Sequence, residues 1–274
     1  MMKIQNDTYT GAQNRKSLID LEIPEEFNGE IIIFIHGFMG FKDWGAWHLV
    51  MDNFVQKGYG FCKFNISHGG GTVENGIDFP DADSFGNNTF SHELEDLNQV
   101  VRWIDEKVSH WKGHVIGHSK GGATALIAGE HIKKIQSIST WAAIASIGER
   151  FPTGEQLEKW KSNGVKYVKN GRTQQELPQK YTLYTDYMTN EHTFDLERIC
   201  GTIDKPIFVA HGEKDTSVDI NNGNRLANWS RTNLCVIDKT DHVFDSRHPW
   251  TQTELPNPLL QLCKSTEKFL KELK

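Results

Sequence analysis

One serine stands where nucleophilic chemistry would need it. Gly117-His118-Ser119-Lys120-Gly121 places it between two glycines, after the apolar run His114–Gly117 and directly before the helix-favouring stretch Gly121–His131. A serine on a tight strand-to-helix turn projects its hydroxyl clear of the chain, and glycine two residues to either side lets the backbone close around it. The helix start that follows favours negative charge developing beside that hydroxyl. Gly-x-Ser-x-Gly alone also describes ordinary glycine-rich turns; the strand before it and the helix after it are what point to a nucleophile.

A serine hydroxyl needs a base to take its proton, and the base needs an acid to orient it. Two later apolar runs supply both. Ile207–Ala210 leads into His211-Gly212-Glu213-Lys214-Asp215, and Leu234–Ile237 leads into Asp238-Lys239-Thr240-Asp241-His242. The chain order Ser, Asp, His, each just after a strand, assigns Asp215 as acid and His242 as general base. Asp219 stays open as an alternative acid. Asp241 directly precedes His242 and is badly placed to reach the far ring nitrogen. Two backbone N–H groups must also face the oxyanion of the tetrahedral intermediate. Lys120, next after the serine, supplies one, and Phe38 in His36-Gly37-Phe38 supplies the other because it follows the first buried strand. His68-Gly69-Gly70-Gly71 resembles an oxyanion motif, but it follows Gly60–Asn65 and reads as a flexible loop near the site.

These residues need a scaffold, and the apolar pattern describes one. Ile31–Ile35 is continuously apolar and too short for a helix, so it reads as a strand buried on both faces. Gly60–Asn65, His114–Gly117, Ile135–Trp141, Ile207–Ala210 and Leu234–Ile237 read as further strands, and Ser17–Ile23 as an antiparallel edge strand. Helices are expected at Trp44–Gln56, around Leu94–Val108, at Gly121–His131 and at Leu259–Leu273. The alternation predicts an α/β chain: a mostly parallel twisted sheet with helices on both faces. Ser146–Thr202 breaks it, being far longer than the roughly 2–6 residues of a usual connection. It reads as a small cap, 146–202, inserted in a single 1–274 domain, with a helix at Gly154–Ser162 and a hairpin turn at Asn170-Gly171. Trp160, Tyr167, Tyr181 and Tyr184 within it would either line an aromatic pocket or pack the cap itself.

Composition excludes several other classes. The 274 residues carry a net charge of −6, which disfavours nucleic-acid binding, and 15 Phe with 8 Trp supply a core. No apolar run approaches the roughly 18 residues of a membrane span. Four widely spaced cysteines form no Cys-x-x-Cys pair and no zinc-type cluster, so no metal or cofactor is implied. The first 27 residues hold no signal-like apolar stretch, and a soluble cytoplasmic protein without a membrane partner is expected. A homodimer is left open.

With these residues in hand, the chain resembles α/β-hydrolases of the dienelactone-hydrolase-like group, and within it the bacterial cinnamoyl (feruloyl) esterases. The resemblance runs through HGFMGFKDWGAWH, FNISHGGGTVEN, GHSKGG, NGRTQQELPQ, HGEKD and DHVF. It implies a serine esterase acting on a small-molecule ester, with the cap supplying the acyl pocket. Dienelactone hydrolase proper uses a cysteine where Ser119 stands, which argues against that reaction. The same three residues would equally serve a small peptidase, an acylaminoacyl hydrolase or a thioesterase. A catalytically silent ligand-binding protein is the non-enzymatic alternative.

Overall fold

The computed structural model describes residues 1–273. Its main sheet has eight strands: β1 (Met2–Thr10), β2 (Lys16–Ile23), β3 (Glu30–Ile35), β4 (Gly60–Phe64), β5 (Lys112–His118), β6 (Ile135–Trp141), β9 (Ile207–Gly212) and β10 (Leu234–Ile237). Their order is β1-β2-β4-β3-β5-β6-β9-β10; β1, β2 and β4 pair antiparallel and every later pair is parallel. A separate antiparallel hairpin joins β7 (Val165–Lys169) to β8 (Glu176–Lys180).

The central strands are apolar throughout because both faces are covered. In β3, Ile31, Ile33 and Ile35 face one core, while Ile32 and Phe34 face the other. The first core is roofed by α3 (Phe90–Asp105), α4 (Lys120–His131), α7 (Leu196–Thr202) and α8 (Asn221–Trp229). The second is closed by α1 (Trp47–Val55) and α9 (Asn257–Glu272), whose Trp47, Phe54, Leu259 and Leu262 pack with Phe34 and Trp141. The remaining helices are α2 (Ala82–Gly86), α5 (Gly154–Asn163) and α6 (Thr182–Thr189). Among the described residues no helix is long and apolar enough to cross a membrane.

Two expectations need correction. Lys16–Ile23 is antiparallel as expected but is not the edge, because β1 pairs along its outer side. The segment between β6 and β9 carries α5, the β7–β8 hairpin, α6 and α7, yet α7 packs on α4 and α8 as part of the main body. The inserted part therefore ends before residue 196.

A buried charge cluster fixes the strand ends near the 36–43 loop. Asp20 of β2 is the register partner of Lys63 on β4, and the Lys63 Nζ–Asp20 Oδ2 distance is 2.5 Å. Lys42 Nζ reaches Asp20 Oδ2 at 2.8 Å and Asp43 Oδ2 at 2.5 Å, and Lys63 also pairs with Asp43. Two cations and two carboxylates thus neutralise one another where single charges would be prohibitively desolvated. The Lys42 backbone N–H donates to Asn65 Oδ1 at 2.7 Å, tying the loop to the end of β4.

Candidate active site

Ser119 sits between β5 and α4 with φ 57° and ψ −122°, a conformation that L-residues seldom occupy. The neighbouring glycines make it attainable. A Cβ on Gly117 would lie 2.1 Å from the Gly121 carbonyl oxygen, and one on Gly121 would lie 2.5 Å from the carbonyl oxygens of Ile35 and His36. The turn is further pinned by the Ser119 N–H donating to Trp141 O at 2.9 Å.

The expected acid and base meet across two loops. The His242 Nδ1–H donates to Asp215 Oδ2 at 2.7 Å, which leaves Nε2 as the proton-accepting nitrogen. Asp215 Oδ1 accepts the backbone N–H groups of Ser217 at 2.8 Å and Val218 at 2.9 Å, and His211 Nε2 lies 3.2 Å from Oδ2. Burial alone would raise the Asp215 pKa; hydrogen bonds from His211, His242 and Val218 outweigh it and hold the carboxyl well below the usual range. Ser119 and His242 line one cavity, of about 300 Å³. The alternative acids lie elsewhere: Asp219 caps Asn221 N, and Asp241 pairs with Arg247.

The two expected oxyanion donors border Ser119. A Cβ on Gly37 would touch Ser119 Cβ at 3.0 Å, so the 36–40 loop lies directly on the serine. His36 Nε2 accepts the Ile66 N–H at 3.2 Å, which places the ring proton on Nδ1, donating to Gly37 O at 2.9 Å. Gly40 N–H donates to the same carbonyl at 3.0 Å. In a trans peptide the C=O and N–H point in opposite directions, so the Phe38 N–H is aimed away from these contacts. Lys120 opens α4, where an N–H has no acceptor within the helix. Its ammonium is paired with buried Glu93, which also accepts from Thr124 Oγ1 at 2.5 Å and Asn88 Nδ2 at 2.7 Å. Glu93 carries no sequence motif beyond its place in the first turn of α3.

His118, the residue before the serine, also serves the site. Its Nε2–H donates to the His242 carbonyl at 2.9 Å, and its ring packs between His242 and Trp47. Burial, then the neighbouring His242, lowers its pKa to about 3. The unfolded chain takes up this proton near pH 6.5 and the folded chain does not until about 3, so this residue makes stability fall as pH drops through that window. The expected slope is about 1.4 kcal/mol per pH unit from this group. Urea unfolding at pH 4, 5, 6 and 7 should show a flatter acid limb in His118→Asn than in the wild type; equal limbs would contradict this account.

A second cavity, of about 260 Å³, also borders Ser119 and is lined by Phe90, Ile144, Ile147, Phe151, Val168 and Leu183 among others. Trp160, Tyr167, Tyr181 and Tyr184 line neither cavity. Trp160 is buried inside the insertion, its indole N–H donating to Gln179 O at 2.8 Å and its ring packed on Phe151, Tyr181 and Tyr184. Tyr167 points outward and is 61% exposed. A larger cleft, about 680 Å³, lies beside Glu22, Glu25 and Asp52, away from all of these groups. Among the described residues no group of three or more His, Cys, Asp or Glu side chains is placed to hold a metal.

No family model matches the sequence, and no curated protein matches it. Solved structures do. Est1E from Butyrivibrio proteoclasticus superposes with a TM-score of 0.71 at 18% identity, over 99% of this chain and 98% of that one. It has also been solved with ferulic acid bound. An esterase domain from Rhodothermus marinus gives a TM-score of 0.64 at 18% identity, over 89% and 91%. Alpha/beta hydrolase domain-containing protein 10 from mouse gives 0.68 at 16% identity, over 100% of both chains. With the mostly parallel eight-stranded sheet flanked by helices, these likenesses give the chain the α/β-hydrolase fold.

Proposed function

We propose that this chain is a serine hydrolase that cleaves carboxylic esters through an acyl-enzyme. The observation that carries this reading is the Asp215–His242 hydrogen bond of 2.7 Å, with Ser119 facing the same cavity from a strained turn. His242 Nε2 takes the Ser119 proton as Oγ adds to the ester carbonyl carbon. The carbonyl oxygen becomes an oxyanion against the Phe38 and Lys120 N–H groups. On collapse, the C–O bond to the alcohol breaks and His242 gives its proton to the departing oxygen. Water then enters, loses a proton to His242, adds to the acyl carbon and releases the acid as Ser119 regains its proton.

His242 must reach the leaving oxygen, so the alcohol belongs in the cavity that His242 lines. The acyl group then occupies the other one, under the insertion, which acts as the cap. Phe38, Phe90 and Phe151 in its wall suit an aromatic acyl group, and ferulic acid bound to Est1E supports cinnamoyl-type esters as a narrower reading.

Purified protein assayed in parallel on p-nitrophenyl butyrate, methyl ferulate, a butyryl thioester and an aminoacyl p-nitroanilide tests the reading. Ester turnover should exceed anilide turnover by at least about 10²-fold, the scale on which leaving-group and pocket differences act. Cleavage of the anilide alone would overturn the esterase assignment in favour of a peptidase.

A further inference from the structure

The two cavities beside Ser119 differ in how their cations are balanced. On the alcohol side, Arg172 pairs with Asp78 at 2.8 Å and also donates to the Ile77 carbonyl. On the acyl side, Lys120 is neutralised by Glu93. Arg150 and Lys166 also line the acyl cavity, and among the described residues neither is paired with a carboxylate. Lys166 is half-buried, with its ammonium 4.2 Å from the centre of the Trp160 ring. Its pKa is lowered by burial, with no neighbouring acid to offset it. Glu149, the acid next to Arg150, is held by Arg225 at 2.8 Å. No acidic side chain lines this cavity, whose wall is otherwise mostly apolar.

We infer that the acyl cavity is built for an acid with an apolar stem and an anionic far end, such as the mono-ester of a dicarboxylic acid. The inference rests on the esterase reading only for which end of the ester enters this cavity. The apolar wall of Phe90, Ile144, Phe151 and Leu183 would take the methylene stem, burying it at roughly 25 cal/mol per Å². Arg150 and Lys166 would take the terminal carboxylate. A partly desolvated ammonium with no counter-ion, Lys166, gains more from an arriving anion than one already paired, as Lys120 is; Arg150, an exposed residue, adds a second unpaired positive charge to the same wall. A neutral stem of equal length would leave Lys166 desolvated and uncompensated, and a cationic end would be repelled.

The test uses three p-nitrophenyl esters of equal chain length: hexanoate, hydrogen adipate and 6-aminohexanoate. The adipate ester should exceed hexanoate in kcat/KM by about tenfold, and the aminohexanoate ester should fall below hexanoate. Raising the salt concentration should shrink the adipate preference, and Arg150→Gln with Lys166→Gln should abolish it. Arg150→Gln with Lys166→Glu should invert the order of the charged esters. Equal kcat/KM for hexanoate and adipate, with both hydrolysed, would overturn the inference and leave the esterase reading standing. If no ester is turned over, the esterase reading fails. Calorimetric binding of methyl hydrogen adipate against methyl hexanoate to the Ser119→Ala protein then decides the inference, tighter adipate binding supporting it and equal binding overturning it.

Discussion

Ser119→Ala is expected to lower kcat on short p-nitrophenyl esters by more than about 10³-fold, because no other group replaces the attacking Oγ. The residual rate would come from substrate binding and the oxyanion donors acting on water. The protein should still fold, since Ala demands no more room than Ser and the turn is held by the glycines on either side. Thermal melting and kinetics together separate loss of chemistry from loss of structure. Ser119→Gly sharpens the comparison. Glycine reaches φ 57°, ψ −122° without the Cβ penalty, so this variant should melt higher than Ser119→Ala while being equally inactive. The position would then be one at which stability has been given up for chemistry. A Ser119→Ala protein with undiminished turnover would remove Ser119 as the nucleophile.

Asp215→Asn is expected to lower kcat by about 10⁴-fold with little change in KM. The geometry gives the reason. Oδ1 accepts two backbone N–H groups, from Ser217 and Val218, so the amide oxygen of Asn must stay on that side. The amide NH₂ then faces His242 Nδ1, whose N–H donates a hydrogen bond to Oδ2 in the native site. A donor there forces the opposite tautomer, with the proton on Nε2, and the ring can no longer take the Ser119 proton. Asp219→Asn and Asp241→Asn should be nearly silent, because these side chains cap Asn221 N and pair with Arg247. Activity equal to wild type in Asp215→Asn, or a loss confined to Asp219→Asn, would move the acid to another residue.

Much of this site follows from local sequence, because strand, tight turn and helix succeed one another at Ser119 and because the ends of β9 and β10 deliver Asp215 and His242 to one edge. Five helices, α1, α3, α4, α5 and α9, are legible to within a few residues, whereas the short α2, α6, α7 and α8 are not. Strand β1 was not, since MKIQNDTYT carries too little apolar alternation; it is held by pairing with β2, with a register irregularity between Ile4 and Asp7. The buried Lys63 gave no warning either, because its partner Asp20 is a neighbour only in cross-strand register. In the insertion, aromatic abundance alone does not separate pocket lining from internal packing, and Trp160, Tyr181 and Tyr184 take the packing role. Period two in β7 holds the better signal: with Lys166 and Val168 facing the cavity, Tyr167 between them must face out. Trp160 packs inward because a buried indole N–H needs an acceptor and finds one inside the insertion.

The β7–β8 hairpin has one more consequence. Lys166 and Val168 on its first strand border one cavity, and Asn170, Gly171 and Arg172 at its tip border the other. The tip is moored by Arg172 to Asp78, and the second strand by Lys180 to Asp83, so the hairpin is fastened at both ends to the stretch before α3. If the chain is the esterase proposed above, acid selectivity and alcohol selectivity are therefore not independent traits. A change in the seating of that one ribbon re-tunes both halves of the ester together, and a variant selected for a new acid should carry an altered taste in alcohols with it.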